Sequence, residues 1–414
     1  MLAKHFRYSI YFITITLLIS SCSSNRAPVF EKRLNEENKK FDEKATKSKG
    51  ILADFSKDKL VSRVNNSFLP KNIGIILPFD SAYENISKSI IYGMTEAYYS
   101  SPRFMANTKL FFYPSDAQSS NQISQSIKKD RINFLIGPLR KENLSKIMGQ
   151  ISSNIDVLNL NINDSKDYRR KGFFRFSLNP EEEARQVAKF ARTKGARAII
   201  IAQDSNWGQR ISKAYLEEWS NSHGEILDHI VYDPNEKNFS EIITKVLHID
   251  ESHARKNMIT KLIQKKIKFE ARRRQDIDVI LLAMDHENAR QIIPQLRFHK
   301  AEKLPVFAGS RAFAFTQDVS FYKDLDGLYF LDVPMLNNNN YLFKATTESH
   351  YPRLFAFGYD ALNLIPYLYQ MERNEFLTYP GKTGYLRVND EGIVIRNLNK
   401  YRIKNGKVKL AKMD

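Results

Sequence analysis

The sequence predicts an α/β fold of two doubly wound lobes, and three observations carry that reading. Unbroken apolar runs such as Val279-Ile280-Leu281-Leu282-Ala283 are what a parallel strand shows when helices cover both of its faces. The segments between such runs have helical apolar spacing, as Ala289, Ile292, Ile293 and Leu296 do after the capping stretch Asp285-His286-Glu287-Asn288. The alternation also produces more strands than one sheet of ordinary width holds.

In order, the folded part opens with a strand over Asn72 to Pro78 and a helix near Ile86 to Tyr99. Lys109 to Tyr113 reads as a strand, Ile123 to Lys129 as a helix, and Phe134 to Ile136 as a strand closed by Gly137-Pro138. A helix over Leu144 to Ile151 follows, then strands at Val157 to Leu160 and Phe174 to Leu178, the latter leading out of the first lobe. Asn179-Pro180 with Glu181, Glu182 and Glu183 is a strong helix start, because proline suits the first turn and carboxylates suit the positive end of the dipole. Gly195 stops that helix, and Ala198 to Ala202 is a central strand. A helix from Trp207 to Ser222, a strand from Glu225 to Tyr232 and one long charged helical region from Phe239 to Arg274 come next. The β-α-β unit from Val279 to Ala308 is closed by Gly309-Ser310. Beyond it lie an extended segment, Leu328 to Pro334, an Asn-rich loop at Asn337 to Asn340 and a helix from Pro352 to Met371. The chain ends in antiparallel strands that turn at Asn389 to Gly392 and at Asn405-Gly406.

The first residues are of another kind. Lys4 and Arg7 precede an apolar stretch, Ile10 to Ile19, too short for the ~20 residues of a spanning helix, so 1–21 reads as a signal peptide. Cys22, the sole cysteine, follows small residues and resembles a bacterial lipobox, which implies lipidation there. With Ser23 and Ser24 next and no Asp at the second mature position, the resemblance to bacterial lipoproteins implies sorting to the outer membrane, facing the periplasm. Residues 22–70 are charged and read as a tether. With Cys22 lipidated no disulfide remains, and stability has to come from the core. The formal charge is +18, of which Lys4 and Arg7 contribute two, and such a balance favours anionic partners. Export argues against nucleic acid.

Enzyme signatures are lacking: there is no nucleophile elbow, zinc helix, phosphate loop or dinucleotide-binding glycine pattern. No cofactor or metal is expected. His248 and His253 are five apart and do not share a helical face, and Asp276 with Asp278 at a strand entry suits a turn better than an acid pair. The densest positive patch, Lys265-Lys266-Ile267-Lys268 with Arg272-Arg273-Arg274, is read as a solvated helix face, with lipid phosphate or an acidic partner as the functional alternative.

The order of elements is similar to the type 1 periplasmic-binding-protein fold. The motifs that carry this are Gly137-Pro138, Asp204-Ser205-Asn206-Trp207-Gly208, Phe357-Gly358-Tyr359-Asp360-Ala361 and Gly384-Tyr385-Leu386. That resemblance implies two Rossmann-like lobes joined by a three-stranded hinge, with 71–178 plus about 311–374 in the first and 179–310 plus about 375–414 in the second. More narrowly, Ala271 to Asp278, Ala289-Arg290-Gln291-Ile292, Leu304 to Ala308, Asp332-Val333-Pro334 and Arg353 to Asp360 resemble the carboxy-terminal domain of LpoA-type lipoproteins. The family implies a non-enzymatic outer-membrane activator of a bifunctional (class A) penicillin-binding protein in peptidoglycan synthesis. Its members carry a helical-repeat domain ahead of this one, and Cys22 to Leu69 is too short to be it.

A small ligand, as in a periplasmic receptor for an amino acid, peptide or wall fragment, is the alternative. It would sit between the lobes, outside the carboxyl ends of the strands. That places Ser81, Tyr83, Pro138, Arg140, Asp204, Trp207, Asp285, Ser310 and Arg311 at the cleft edge.

Overall fold

The computed structural model describes residues 70–100, 105–162, 170–236, 238–315, 319–337, 349 and 351–411. The signal peptide, Cys22 and the tether lie outside the described residues.

The first sheet is wholly parallel. Strand β1 (Asn72–Leu77) lies between β2 (Lys109–Pro114) and β3 (Phe134–Ile136), and the order continues through β4 (Asp156–Asn159) to β5 (Phe173–Arg175). Its strands alternate side chains between two covered faces. Ile73, Ile75 and Leu77 meet helix α1 (Glu84–Ser100), while Ile76 and Leu135 face α2 (Ser120–Lys129) and α3 (Lys141–Met148). Burial on both faces, at roughly 1.5–3 kcal/mol per large aliphatic side chain, is why these strands read as continuous apolar runs.

The second sheet repeats the arrangement. Helix α4 (Pro180–Arg192), β6 (Arg197–Gln203), α5 (Asn206–Asn221), β7 (Glu225–Tyr232), α6 (Ser240–Val246), α7 (Ile249–Ile263), β8 (Val279–Ala283), α8 (His286–Phe298), β9 (Val306–Ala308), α9 (Val319–Asp324) and β10 (Leu328–Asp332) follow in turn. The sheet runs β15-β14-β10-β9-β8-β6-β7, with β14 (Asn399–Lys404) and β15 (Lys407–Leu410) antiparallel at one edge. Ile199, Ile201, Ile280 and Leu282 face α6 and α8, and Ala198, Ile200, Val279 and Leu281 face α4 and α5.

In the chain, α10 (Pro352–Asn363), α11 (Leu368–Arg373) and a small antiparallel sheet of β11 (Tyr379–Pro380), β12 (Tyr385–Val388) and β13 (Val394–Asn397) come between β10 and β14. Leu386, Val388 and Val394 join the core of the first sheet, together with Phe357 and Leu362 of α10. Among the described residues, successive elements therefore change body at three points: after β5, between β10 and α10, and between β13 and β14.

Sheet membership differs from the division expected at 311–374 and 375–414. Strand β10 bonds β9 and β14 and so belongs to the second sheet, while β11 to β13 pack on the first body and only β14 and β15 return to the second. The expected helix from Phe239 to Arg274 is also broken. His248 takes left-handed backbone (φ 54°) between α6 and α7, and Gln264 (φ 53°) ends α7, so the basic residues 265–274 are not helical. Pro366, lacking an N–H, lies in a short 3-10 turn that separates α10 from α11.

Helices α1 and α10 cross at unusually close range. A Cβ placed on Gly93 would land on the carbonyl oxygen of Phe355, and one on Gly358 on that of Ile90. The two backbones touch there with no side chain between them.

Candidate functional site

The boundary between the two bodies is closed by a connected set of buried polar groups. Asn179 caps α4 by accepting from the amides of Glu181 (2.9 Å) and Glu182 (3.4 Å). The three carboxylates of its first turn then diverge. Glu181 pairs with Arg210 and Glu182 with Arg185, whereas Glu183 turns to the end of β9 and accepts from the Ser310 amide (2.5 Å) and hydroxyl (3.1 Å). Burial, and next the Asp332 carboxylate, push the Glu183 carboxyl above its ordinary range, while the Ser310 amide pulls it down.

Arg353, in the first turn of α10, donates to the Ser310 carbonyl (2.8 Å) and the Phe313 carbonyl (3.1 Å), and grips Asp332 through two nitrogens. Asp332 ends β10 and is fully buried. Further along α10, fully buried Asp360 accepts from the Lys382 amide (2.8 Å), the Thr383 amide (2.7 Å) and the Thr383 hydroxyl (2.5 Å). Burial pushes its carboxyl up to about 6 against those bonds. Gln186 of α4 donates to the Arg396 carbonyl (2.7 Å) and accepts from the Leu398 amide (3.1 Å), tying the third crossing to the second body. Glu183, Ser310, Arg353 and Asp332 are thus partnered by one another, an arrangement suited to holding two bodies in register rather than to moving protons.

Beside this seam is a cavity of about 560 Å³, lined by His286, Arg311, Phe313, Phe315, Tyr351 and Arg353 among others. The Arg311 guanidinium stacks 4.6 Å from the Trp207 ring, and that of Arg353 lies 4.7 Å from the Phe315 ring.

The structure brings the expected cleft-edge residues together in pairs. On the first body Arg140 bonds Asp80 at 2.7 Å and lies 4.6 Å over the Tyr83 ring, with Ser81 exposed in the same turn and Pro138 joined to Gly137 by a cis peptide. On the second, Trp207 and Arg311 stack, and Ser310 is occupied by Glu183 and Arg353. Asp285 caps α8, accepting from the Asn288 amide at 3.0 Å, and exposed Asp204 accepts from Gln209 at 3.2 Å. Both are accounted for by helix entry. Asp276 is held by Arg274 through two bonds of 2.7 Å, which lower its carboxyl to about 2, and Asp278 instead takes Arg197. His248 meets Arg274, while His253 meets Phe269. Sequence reasoning missed Glu183, Asp332, Arg353 and His286; the available signals were one Asp closing the apolar run Leu328 to Leu331 and another, Asp360, inside an apolar helix.

Among the described residues no helix is long and apolar enough to cross a membrane. Comparison with known proteins then places the chain. It is 27% identical over 339 residues to the penicillin-binding protein activator LpoA of Photobacterium profundum, covering 79% of this chain and 55% of that one. It is 26% identical over 341 residues to the LpoA of Aliivibrio fischeri, covering 80% and 56%. The chain thus spans about half the length of the curated relatives it matches. Among solved structures, the LpoA C-domain from Haemophilus influenzae, described as a regulator of PBP1A, superposes with a TM-score of 0.62 at 22% identity, over 82% of this chain and all of that one. A "putative branched-chain amino acid ABC transporter" protein from Rhodospirillum rubrum gives 0.61 at 16% identity, over 82% and 99%. The fold is that of type 1 periplasmic-binding proteins. Residues 63–406 match the family described as "LppC putative lipoprotein", and the chain belongs to that family.

Proposed function

We propose that the protein is a non-enzymatic regulator of a bifunctional, class A penicillin-binding protein, tethered through lipidated Cys22 to the periplasmic face of the outer membrane. The observation that carries this reading is the extended similarity to proteins named penicillin-binding protein activators, which runs through most of the chain. The buried seam supports it, since Glu183, Ser310, Arg353 and Asp332 satisfy one another and leave a stable two-bodied surface for a protein partner. The test is retention of class A penicillin-binding proteins from solubilised envelope on the immobilised full chain, with glycan polymerisation and cross-linking measured with and without it. Retention with faster synthesis supports the proposal; retention of none of these synthases overturns it.

A second reading is favoured by the cavity. Its about 560 Å³ is of the size that holds a small ligand, and its cationic and aromatic lining suits an anionic one, such as a peptide or wall fragment. A ligand at 100 times its dissociation constant stabilises the protein by about 2.7 kcal/mol, so thermal shift against amino acids, peptides and muropeptides tests it. No shift across that set counts against a ligand site.

A further inference from the structure

Helix α7 is attached at its beginning and open at its end. Of its 15 residues only Ile249 and Ser252 are buried, and both belong to the first turn. Arg274 fixes that base: it pairs with Asp276, bonds His248 at 3.0 Å and donates its amide to the Leu247 carbonyl at 2.9 Å. The second half of the helix carries an uncovered apolar face. Met258 is 64% exposed, Leu262 76%, and Ile259 and Ile263 47% each. At 3.6 residues per turn these four fall within an arc of roughly 140° on one side of the helix.

The segment after Gln264 doubles back along the same helix. Phe269 lies 5.1 Å from the His253 ring and within 5.9 Å of the Lys256 ammonium, and the Arg272 amide donates to the Ser252 hydroxyl at 3.1 Å. The basic run is thereby laid beside the apolar face. Between Arg255 and Arg274 there are nine Lys and Arg residues against one carboxylate, Glu270, which pairs with Lys300. Lys261, Lys265, Lys266 and Lys268 are exposed and have no carboxylate partner among the described residues.

We infer that this helix and its basic return strap form a membrane-surface contact that inserts Met258, Ile259, Leu262 and Ile263 among the headgroups of an anionic bilayer. Aliphatic side chains on one arc, bordered by lysines, are what a helix lying in the plane of such an interface presents: the apolar face gains by leaving water, and the lysines meet lipid phosphate. A second copy of the chain is disfavoured as occupant, because pairing the faces would bring two strongly positive straps together. The inference rests on α7 and its strap alone and holds whether or not a penicillin-binding protein is the partner.

The full chain bearing Leu262→Trp tests it, with Met258→Trp as an independent second probe. The native Trp219 is buried and Trp207 lies under Arg311, so a new indole on α7 reports separately. With vesicles of phosphatidylglycerol and phosphatidylethanolamine, emission of either variant shifts to the blue and is quenched by brominated acyl chains. High salt weakens the effect, as does uncharged phosphatidylcholine. Adding Lys265→Glu, Lys266→Glu and Lys268→Glu lowers the quenched fraction's apparent affinity on the order of 100-fold, from about fivefold per lysine near a charged surface. Protein that sediments with the vesicles while the α7 indole stays unquenched overturns the inference and assigns binding to other segments. A blue shift seen only on adding a solubilised penicillin-binding protein overturns it in favour of a protein contact.

Discussion

Arg353 holds Asp332 with its Nε on Oδ1 at 2.8 Å and its Nη2 on Oδ2 at 2.5 Å, so that the first turn of a helix packed on one body is clamped to the last residue of a strand in the other. Two parallel bonds fix direction as well as distance. Asp332 has no exposure to water, so removing its partner strands a buried charge. Arg353→Ala is expected to cost about 3–5 kcal/mol, read as a fall in the midpoint of denaturant unfolding. Arg353→Lys should recover only part of that, because an ammonium cannot reproduce the fork. A variant as stable as the parent would show that the clamp contributes nothing.

Asp360 makes stability depend on pH in a definite direction. Its folded-state value of about 6 lies above the ordinary 3.8, so over that interval the folded chain binds the proton more tightly than the unfolded one. Stability contributed by protonated Asp360 is therefore present at the acid end and is lost as pH rises through about 6, by on the order of 2–3 kcal/mol. Asp360→Asn should flatten this component. The check is the difference between parent and variant stability at several pH values; a constant difference across the interval would contradict the assignment.

Gly93→Ala and Gly358→Ala each drive a methyl into the opposite helix's backbone. Overpacking of that kind costs about 1–3 kcal/mol or more, since a carbonyl cannot rotate aside as a side chain can. Tyr99→Ala, at a position 74% exposed on the same helix α1, serves as the control and should change the melting temperature little.

Cys22→Ala removes the lipid attachment point proposed above. The variant should leave the membrane fraction on washing with salt, which also weakens the electrostatic part of the α7 contact. Retention after the wash would show that membrane attachment does not require Cys22.

Much of the architecture was legible because parallel strands covered on both faces leave little else for a run such as Val279 to Ala283 to be. The breaks were not. Nothing around His248 advertises left-handed backbone, which depends on how Leu247 packs into the second core and on Arg274 returning to bond it. The seam was hidden for a different reason. Glu181, Glu182 and Glu183 look alike as a helix's acidic first turn, and only the approach of Ser310, 127 residues later, separates the third from its neighbours. Likewise Arg353 and Asp332 lie in separate sequence motifs, and their pairing needs the chain to cross between bodies first. Trp207 and Arg311 were expected at one edge and are found stacked, since both follow strands of the same sheet.

The glycine contact between α1 and α10 carries a mechanical implication. Side chains that interlock can trade one rotamer for another and let two rods creep past each other in small steps. At Gly93 and Gly358 there is nothing to trade, so α10 either rides with α1 as one piece or comes away from it altogether. Any motion passing through Arg353 would then reach the first sheet as a whole-body tilt, without being absorbed along the way.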